Sequence, residues 1–386
     1  MSKWEKVRLG DVCEIERGGS PRPIDKFITT DKAGVNWIKI GDTSPDSMYI
    51  TGTKEKIIPE GMKKSRYVQA GDFLLSNSMS FGRPYILKIN GCIHDGWLVL
   101  RDKMNYFEKE YLYYALSSKT TYRKFKMLAV GGVVNNLNSS IVKQVEFPLS
   151  PLEVQKKIAK TLDAASELIA LRKKQLAELD HLIKATFYDM FGDPVVNEKG
   201  WEVKKLGSVG ELARGISKHR PRNAPELLNG KYPLIQTGDV ANAGLYITSY
   251  KQTYSDLGLE QSKMWEKGTL CITIAANIAK TAILNFNACF PDSIVGFKPY
   301  KLANVFFINI WFSFFQKILE EQAPESAQKN INLRILSDLD IIIPPLHFQN
   351  RFAQIVAKVE EQKALVQKSI DESQYLFDSL MSQYFE

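Results

Sequence analysis

Four cysteines in 386 residues, Cys13, Cys92, Cys271 and Cys289, lie far apart with no C-x-x-C spacing, so neither a zinc site nor a disulfide framework is indicated. The four histidines, His94, His181, His219 and His347, are equally scattered and form no metal-ligand pattern. No G-x-x-x-x-G-K-[ST] phosphate loop occurs, since Ala279-Lys280-Thr281 lacks its glycines, and there is no G-x-G-x-x-G on a strand-to-helix turn. N-P-P-[FY] and D-P-P-[FY] tetrapeptides are missing too. Glu202-x-Lys204 looks like the tail of a nuclease motif, but a second stretch of the chain breaks it to Glu5-x-Val7, which reads as surface charge. Met1-Ser2-Lys3-Trp4-Glu5 has no apolar core for a signal peptide, and the most apolar run, Val305 to Phe315, is too short to span a bilayer. These absences argue against a self-contained enzyme, a secreted protein and a membrane partner, and a cytoplasmic location is expected.

What the chain does have is itself, twice. Sliding residues 4–95 forward by 197 positions lands Trp4-Glu5 on Trp201-Glu202, Arg17-Gly18 on Arg214-Gly215, Gly41-Asp42 on Gly238-Asp239, Gly71 on Gly268 and Asp95 on Asp292. Later the offset drops to 194, where Asn136-x-Asn138 matches Asn330-x-Asn332 and Pro151-Leu152-x-x-Gln155 matches Pro345-Leu346-x-x-Gln349. A period this long exceeds any solenoid repeat and means a whole domain with its connector, duplicated. Two similar domains in one chain suggest a partner that offers two similar sites. The formal charge of +8 favours an anionic one, and the 44% apolar content is ample for two cores.

The composition along the chain predicts an α+β protein. Residues 1–150 and 194–343 read as two similar β-rich globular domains, with short apolar runs such as Phe73-Leu74-Leu75 bounded by Gly, Asn, Asp and Pro. Tyr106 to Leu128 and Val305 to Glu321 are expected to be their main helices. Residues 151–193 and 344–386 read as long spacer helices. Ile158, Leu162, Ala165, Ile169, Leu176, Leu179, Ile183 and Phe187 step by fours and threes, broken at Arg172, and Gly192-Asp193-Pro194 stops the run. Phe352, Val356, Val359, Val366, Ile370, Phe377 and Met381 supply the matching seam, with Lys363 and Ser373 as its polar members. Short connections imply an antiparallel coiled-coil pair with pseudo-twofold symmetry, each helix roughly 60 Å long.

The binding candidates lie on loops. Arg17-Gly18-Gly19-Ser20-Pro21-Arg22 and the stretch Arg214 to Arg222, which includes Lys218 and Arg220, occupy the same place in each copy. Glycine beside guanidinium donors suits phosphates and guanine edges, although a solvated turn would look similar. Asn77, Ser78 and Arg83 in one copy face Asn277 and Lys280 in the other, each group following a short apolar strand. Lys329 and the Asn136, Asn138, Asn330 and Asn332 set precede the strand into each long helix; these asparagines suit either backbone bonding or DNA. Asp42 and Asp239 suit turn capping. Trp37, Trp97, Trp265 and Trp311 sit in apolar contexts and read as core.

Two copies of W-E-x-x-x-L-G, then R-G, an I-x-x-G-D strand, a G-[DT]-[FL]-[LC] strand, N-x-N and a closing P-L-x-x-Q resemble the specificity subunit of type I restriction-modification systems. The match covers essentially the whole chain. The family's usual P-P-L-x-E-Q reads Ser150-Pro151-Leu152-Glu153-Val154-Gln155 in the first copy and Pro344-Pro345-Leu346-His347-Phe348-Gln349, without the acid, in the second. The resemblance implies two target recognition domains, each reading one half of a split site on double-stranded DNA. Loops that differ between the copies predict an asymmetric site, and two domains facing the same side of the duplex predict half-site centres roughly 34–36 Å apart. It also implies that the helices, around Gln155, Arg172, Gln349 and Lys363, dock two methyltransferase subunits and, for restriction, two motor-nuclease subunits. S-adenosylmethionine, ATP and Mg would then belong to those partners and no cofactor to this chain. The readings that compete with it are a DNA enzyme with an unrecognised site and a protein-binding scaffold.

Overall fold

The computed structural model describes residues 4–44, 47–77, 81–129, 137–275, 278–322 and 331–386. The chain divides into two compact units, Met1–Leu171 with Ser369–Glu386, and Arg172–Lys368. The division runs through both long helices, so each unit holds one globular domain and a stretch of each helix.

In the first unit the domain is closed by its own ends. The entering strand Lys6–Arg8 pairs antiparallel with the leaving strand Glu146–Pro148, Val7 opposite Phe147. Between them lie two five-stranded sheets. One runs in the order Cys13–Arg17, Trp97–Asp102, Phe73–Ser76, Pro84–Leu87, Tyr49–Ile50, antiparallel except at its last pair. Its central strands are buried on both faces, which is why Phe73-Leu74-Leu75 is a continuous apolar run without alternation. Gly71, at φ +98°, makes the left-handed turn into that run. The other sheet runs Ile28–Thr29, Glu55–Ile57, Val35–Ile38, Gly91–Ile93, Arg66–Val68.

The second unit repeats this plan. Val203–Lys205 pairs with Asp340–Ile342, and the sheet Gly210–Arg214, Ile294–Pro299, Leu270–Thr273, Thr281–Leu284, Tyr246–Ile247 has the same order and the same parallel last pair. Gly268, at φ +90°, repeats the turn of Gly71. The smaller sheet differs. A single bulged strand, Leu228–Leu234, stands where the first copy has separate short strands, giving four strands in place of five.

Tyr106 to Leu128 is not one helix but two, Lys109–Ser117 and Lys119–Ala129. Ser118 between them is extended, its buried hydroxyl donating to the Ala115 carbonyl at 2.9 Å and accepting from the Thr121 N–H at 3.2 Å. A serine that bonds its neighbouring backbone ends one helix and caps the next, which a pattern of apolar spacing does not register. The counterpart in the second copy is continuous, Val305–Gln322. Trp97, Trp265 and Trp311 are fully buried and Trp37 nearly so.

The spacer helices run Leu152–Phe191 and Leu346–Phe385, each of 40 residues. Gly192, at φ +75°, ends the first. In the second unit the two stretches are antiparallel: Phe187 packs edge-on against Phe352 with centroids 5.6 Å apart, while Asp180, lower in number, meets Lys363, higher in number. Ile183, Phe187, Phe191, Phe352 and Val356 belong to the domain's own core. In the first unit Tyr114 donates to Asp163 at 2.7 Å with its ring 6.0 Å from Phe377, and Ala159 and Phe385 join the core of that domain. The seam residues therefore pack into the domains as well as along the helices.

Candidate nucleic-acid interface

In each copy the first strand of the larger sheet ends on Arg-Gly and runs directly into the basic loop. The Gly18 N–H donates to the Trp97 carbonyl at 2.9 Å, and the Gly215 N–H to the Ile294 carbonyl at the same distance. A Cβ on Gly18 would stand 2.1 Å from the His94 carbonyl oxygen, and one on Gly215 would stand 2.2 Å from that of Phe290. Glycine is required because two backbones pass too closely for any side chain. That approach sets the basic loop against the turn carrying Asp95 in one copy and Asp292 in the other.

These aspartates gather the loop. In the first copy Ser20 donates to the Asp95 carboxylate at 2.6 Å, Arg17 donates to the Asp95 carbonyl at 3.0 Å, and the Arg22 guanidinium lies 3.8 Å from the carboxylate. The Ser20 hydrogen bond holds the Asp95 carboxyl below its ordinary range, outweighing the opposing effect of burial. In the second copy Arg222 reaches both carboxylate oxygens of Asp292, at 2.7 and 2.8 Å. Arg220 lies 3.9 Å from Asp292 and donates to the Ser217 and His219 carbonyls at 2.7 and 2.8 Å. The same task is thus performed by different residues. Arg17, Arg22, Arg214, Lys218, Arg220 and Arg222 all remain exposed.

Beside the first loop an open cleft of about 740 Å³ is lined by Arg22, Pro23, Trp37, Lys39, His94 and Asp95. His94 lies between Trp37 and Trp97, its Nε2 3.2 Å from the Ile40 N–H and its Nδ1 2.7 Å from that of Gly96. A neutral ring accepts through one nitrogen only, so one of these contacts is made at a time. Burial pushes the His94 pKa down, with Asp95 opposing.

Several expected contact residues have other duties. Asn77 is 3% exposed, and its amide donates to the Asp95 carbonyl at 2.8 Å, so it supports the loop from beneath and does not face a ligand. Arg83 is half-buried with its guanidinium 5.3 Å above the Tyr85 ring, and Lys280 donates to Gln316 at 3.2 Å. Ser78, Asn136, Asn277 and Lys329 lie outside the described residues. Asn138 and Asn332 cap the helices Ser139–Gln144 and Leu333–Ser337, each accepting from an N–H three residues on at 2.9 Å. Asp42 and Asp239 accept the N–H groups of Lys39 and Gln236, both at 2.8 Å, as turn caps do. Glu202 pairs with Lys204 on the surface.

The helix residues expected to meet partners are corrected more sharply. Gln155 and Gln349 are both 0% exposed. The Gln155 carbonyl accepts the Glu108 N–H at 2.9 Å while its amide donates to Ser150 and Tyr106 carbonyls at 2.7 and 3.0 Å. Gln349 repeats this with Asn304, Pro344 and Leu302 at 2.9, 2.7 and 3.1 Å. The recurrent glutamine thus fastens each helix to its own domain and has no donor left for a partner. Lys363 is largely buried and bonded to Asp180 and Glu360, both at 2.7 Å; burial would lower its pKa, but the two carboxylates outweigh it and raise it. Arg172, at the heptad break, is half-buried with its Nε lacking a hydrogen-bond partner among the described residues. No group of three or more His, Cys, Asp or Glu placed to hold a metal occurs among the described residues, and no helix there is long and apolar enough to cross a membrane.

A family model described as the type I restriction modification DNA specificity domain matches residues 1–181 and again 198–373. The chain belongs to this family. Its two specificity domains make it a DNA-recognition subunit and not a catalytic one. Curated relatives include the putative type I restriction enzyme MjaX specificity subunit of Methanocaldococcus jannaschii, 26% identical over 93% of this chain and 87% of that protein. The MjaIX specificity subunit of the same organism is 25% identical over 98% and 91%, and the EcoBI specificity subunit of Escherichia coli 23% over 93% and 79%. Among solved structures, a chain described under "complex assembly and conformational transition of the type I R-M system" matches with a TM-score of 0.63 at 19% identity, covering 99% of this chain and 97% of that one. The S subunit from M. genitalium matches at 0.58 and 15%, covering 100% and 96%. These likenesses establish the fold of the specificity domains and their helices. The aspartates that organise the loops were not singled out from the sequence as site residues. Their signal was the duplication itself, which sets Asp95 on Asp292.

Proposed function

We propose that each specificity domain reads one half of a bipartite, asymmetric site on double-stranded DNA, and that the spacer helices set the gap between the halves. The observation that carries this reading is the loop gathered at Asp95 and Asp292: its place in the fold is the same in both domains, while the residues that project from it differ. Equal placement suits two heads of one kind, and different side chains suit two different half-sequences. Exposed arginine and lysine beside each loop supply phosphate contacts that fix register, and base edges supply the specificity.

Methyl transfer and cleavage fall to partners in this account: two methyltransferase subunits with S-adenosylmethionine, and two motor-nuclease subunits with ATP and Mg. Support comes from the specificity-subunit relatives and from a chain whose motifs match no catalytic site. The test is binding of the assembled chain and methyltransferase to duplex DNA across a salt series. A steep fall of affinity with salt, with a cognate sequence held far more tightly than a random one, supports the reading; a shallow slope without sequence preference supports the protein scaffold instead.

A further inference from the structure

We propose that Asp95 and Asp292 are positioning residues for DNA reading, each holding its domain's basic loop in the one shape that presents guanidinium groups to a half-site. The inference rests on the assignment of those loops to DNA and names the group that makes them specific.

Three observations carry it. The aspartates occupy equivalent turns, brought against the loop by Gly18 and Gly215, whose positions admit no side chain. Each carboxylate then draws on its loop at separate points: Ser20 and Arg22 for Asp95, Arg220 and Arg222 for Asp292. Finally, the arginines keep exposed surface after pairing. The Arg22 side chain is 84% exposed and that of Arg222 44%. A guanidinium carries five N–H donors in a fixed fork, so one edge on the aspartate leaves others for a phosphate or a guanine. A glycine-bearing loop without such an anchor would spread over many conformations, and DNA would have to order it on binding.

The opposite role is also chemically coherent. A carboxylate on an arginine occupies the place of a phosphate, and it would then restrain binding. The two roles differ in sign. As a positioning group, the aspartate raises affinity for the cognate half-site and leaves general phosphate attraction alone. As a competitor, it lowers both.

Asparagine is a mild probe. The Arg17 and Asn77 bonds end on the main-chain carbonyl of Asp95, so they survive a change of its side chain. The experiment uses the full chain assembled with its methyltransferase subunit, once the methylated site is known. Asp95→Asn and Asp292→Asn are each measured on the cognate duplex, on duplexes with one half scrambled, and on an unrelated duplex. The expected result is a loss of about tenfold on the cognate duplex, since the carboxylate's charge and one of its acceptor oxygens are removed and the bonds that remain are neutral ones. The penalty for scrambling one half should shrink, a different half for each variant, while affinity for unrelated DNA holds or rises. A loss on every duplex alike would mark a merely structural role and overturn the proposal, as would a gain on the cognate duplex. Arg22→Ala and Arg222→Ala run in parallel. If these weaken binding and the asparagine variants do not, the positioning role alone fails. If neither pair changes anything, the assignment of the loops to DNA fails with it. Should one asparagine variant not assemble, the other domain's variant decides the matter.

Discussion

The side-chain carbonyl of Gln155 accepts the backbone N–H of Glu108 at 2.9 Å, and Gln349 accepts that of Asn304 at the same distance. Each glutamine thereby joins the start of a long helix to the start of a helix inside its domain. Replacing Gln155 by Leu strands one N–H and two carbonyls in a buried site, at about 1–3 kcal/mol for each group left unsatisfied. The expected outcome is a marked fall in the urea midpoint with the recognised DNA sequence unchanged. Unfolding curves and methylation maps of the variant check both halves of that statement.

A pH dependence confined to one domain follows from His94, whose counterpart in the second copy is Pro291. Burial lowers the folded pKa of His94 below the ordinary 6.5, against the opposing pull of Asp95 and Asp42 and with the aid of Lys39. In the window between the folded pKa and 6.5 the unfolded chain binds more protons, so stability falls as pH drops through that window and is complete above it. Melting at pH 5.0 and 7.5 should show the wild type losing more stability on acidification, or gaining less, than His94→Gln, because Glu108, whose pKa burial pushes up to about 7, titrates in the same range with the opposite sign.

Arg22 and Arg220 are not equivalent probes of DNA contact. Arg220 is bonded to two carbonyls of its own loop, so Arg220→Ala damages the loop as well as any contact. Arg22→Ala should leave melting unchanged and flatten the salt dependence of binding, by about 0.9 in the logarithmic slope if one phosphate contact is lost. Anisotropy titrations at several salt concentrations measure it.

The duplication, the two β-rich domains and the long helices were legible in the sequence because repeats and heptad spacing are linear properties. The first helix ends at Phe191, directly before the Gly192-Asp193-Pro194 stop read from the sequence. The site was less legible. Asn77 looked like a reader because it is polar and follows a strand, yet it lies beneath the loop. Gln155, Gln349 and Lys363 were expected near partner contacts because the resemblance assigns docking to the helices, yet they bond inward. Whether a polar side chain faces water or backbone depends on what folds over it, and one chain's order of residues does not contain that. Ser118 is the local example: its hydroxyl splits a helix that apolar spacing joins.

The spacer helices carry a prediction about length. Removing one heptad from each shortens it by roughly 10 Å at 1.5 Å per residue, about three base pairs of duplex. The gap between half-sites should shorten accordingly while both half-sequences stay the same. Methylation mapping of the deletion variant reads the gap directly, and an unchanged gap would show that the helices do not set it.

The most direct test of two-headed reading is to co-express the chain with a methyltransferase subunit of its system and map methylated bases across genomic DNA by single-molecule sequencing. The account predicts a split motif with two different halves and a fixed unspecified gap, only one half of which changes when residues 194–343 are exchanged for another family member's domain. A single continuous motif, or a change in both halves after that exchange, would contradict it.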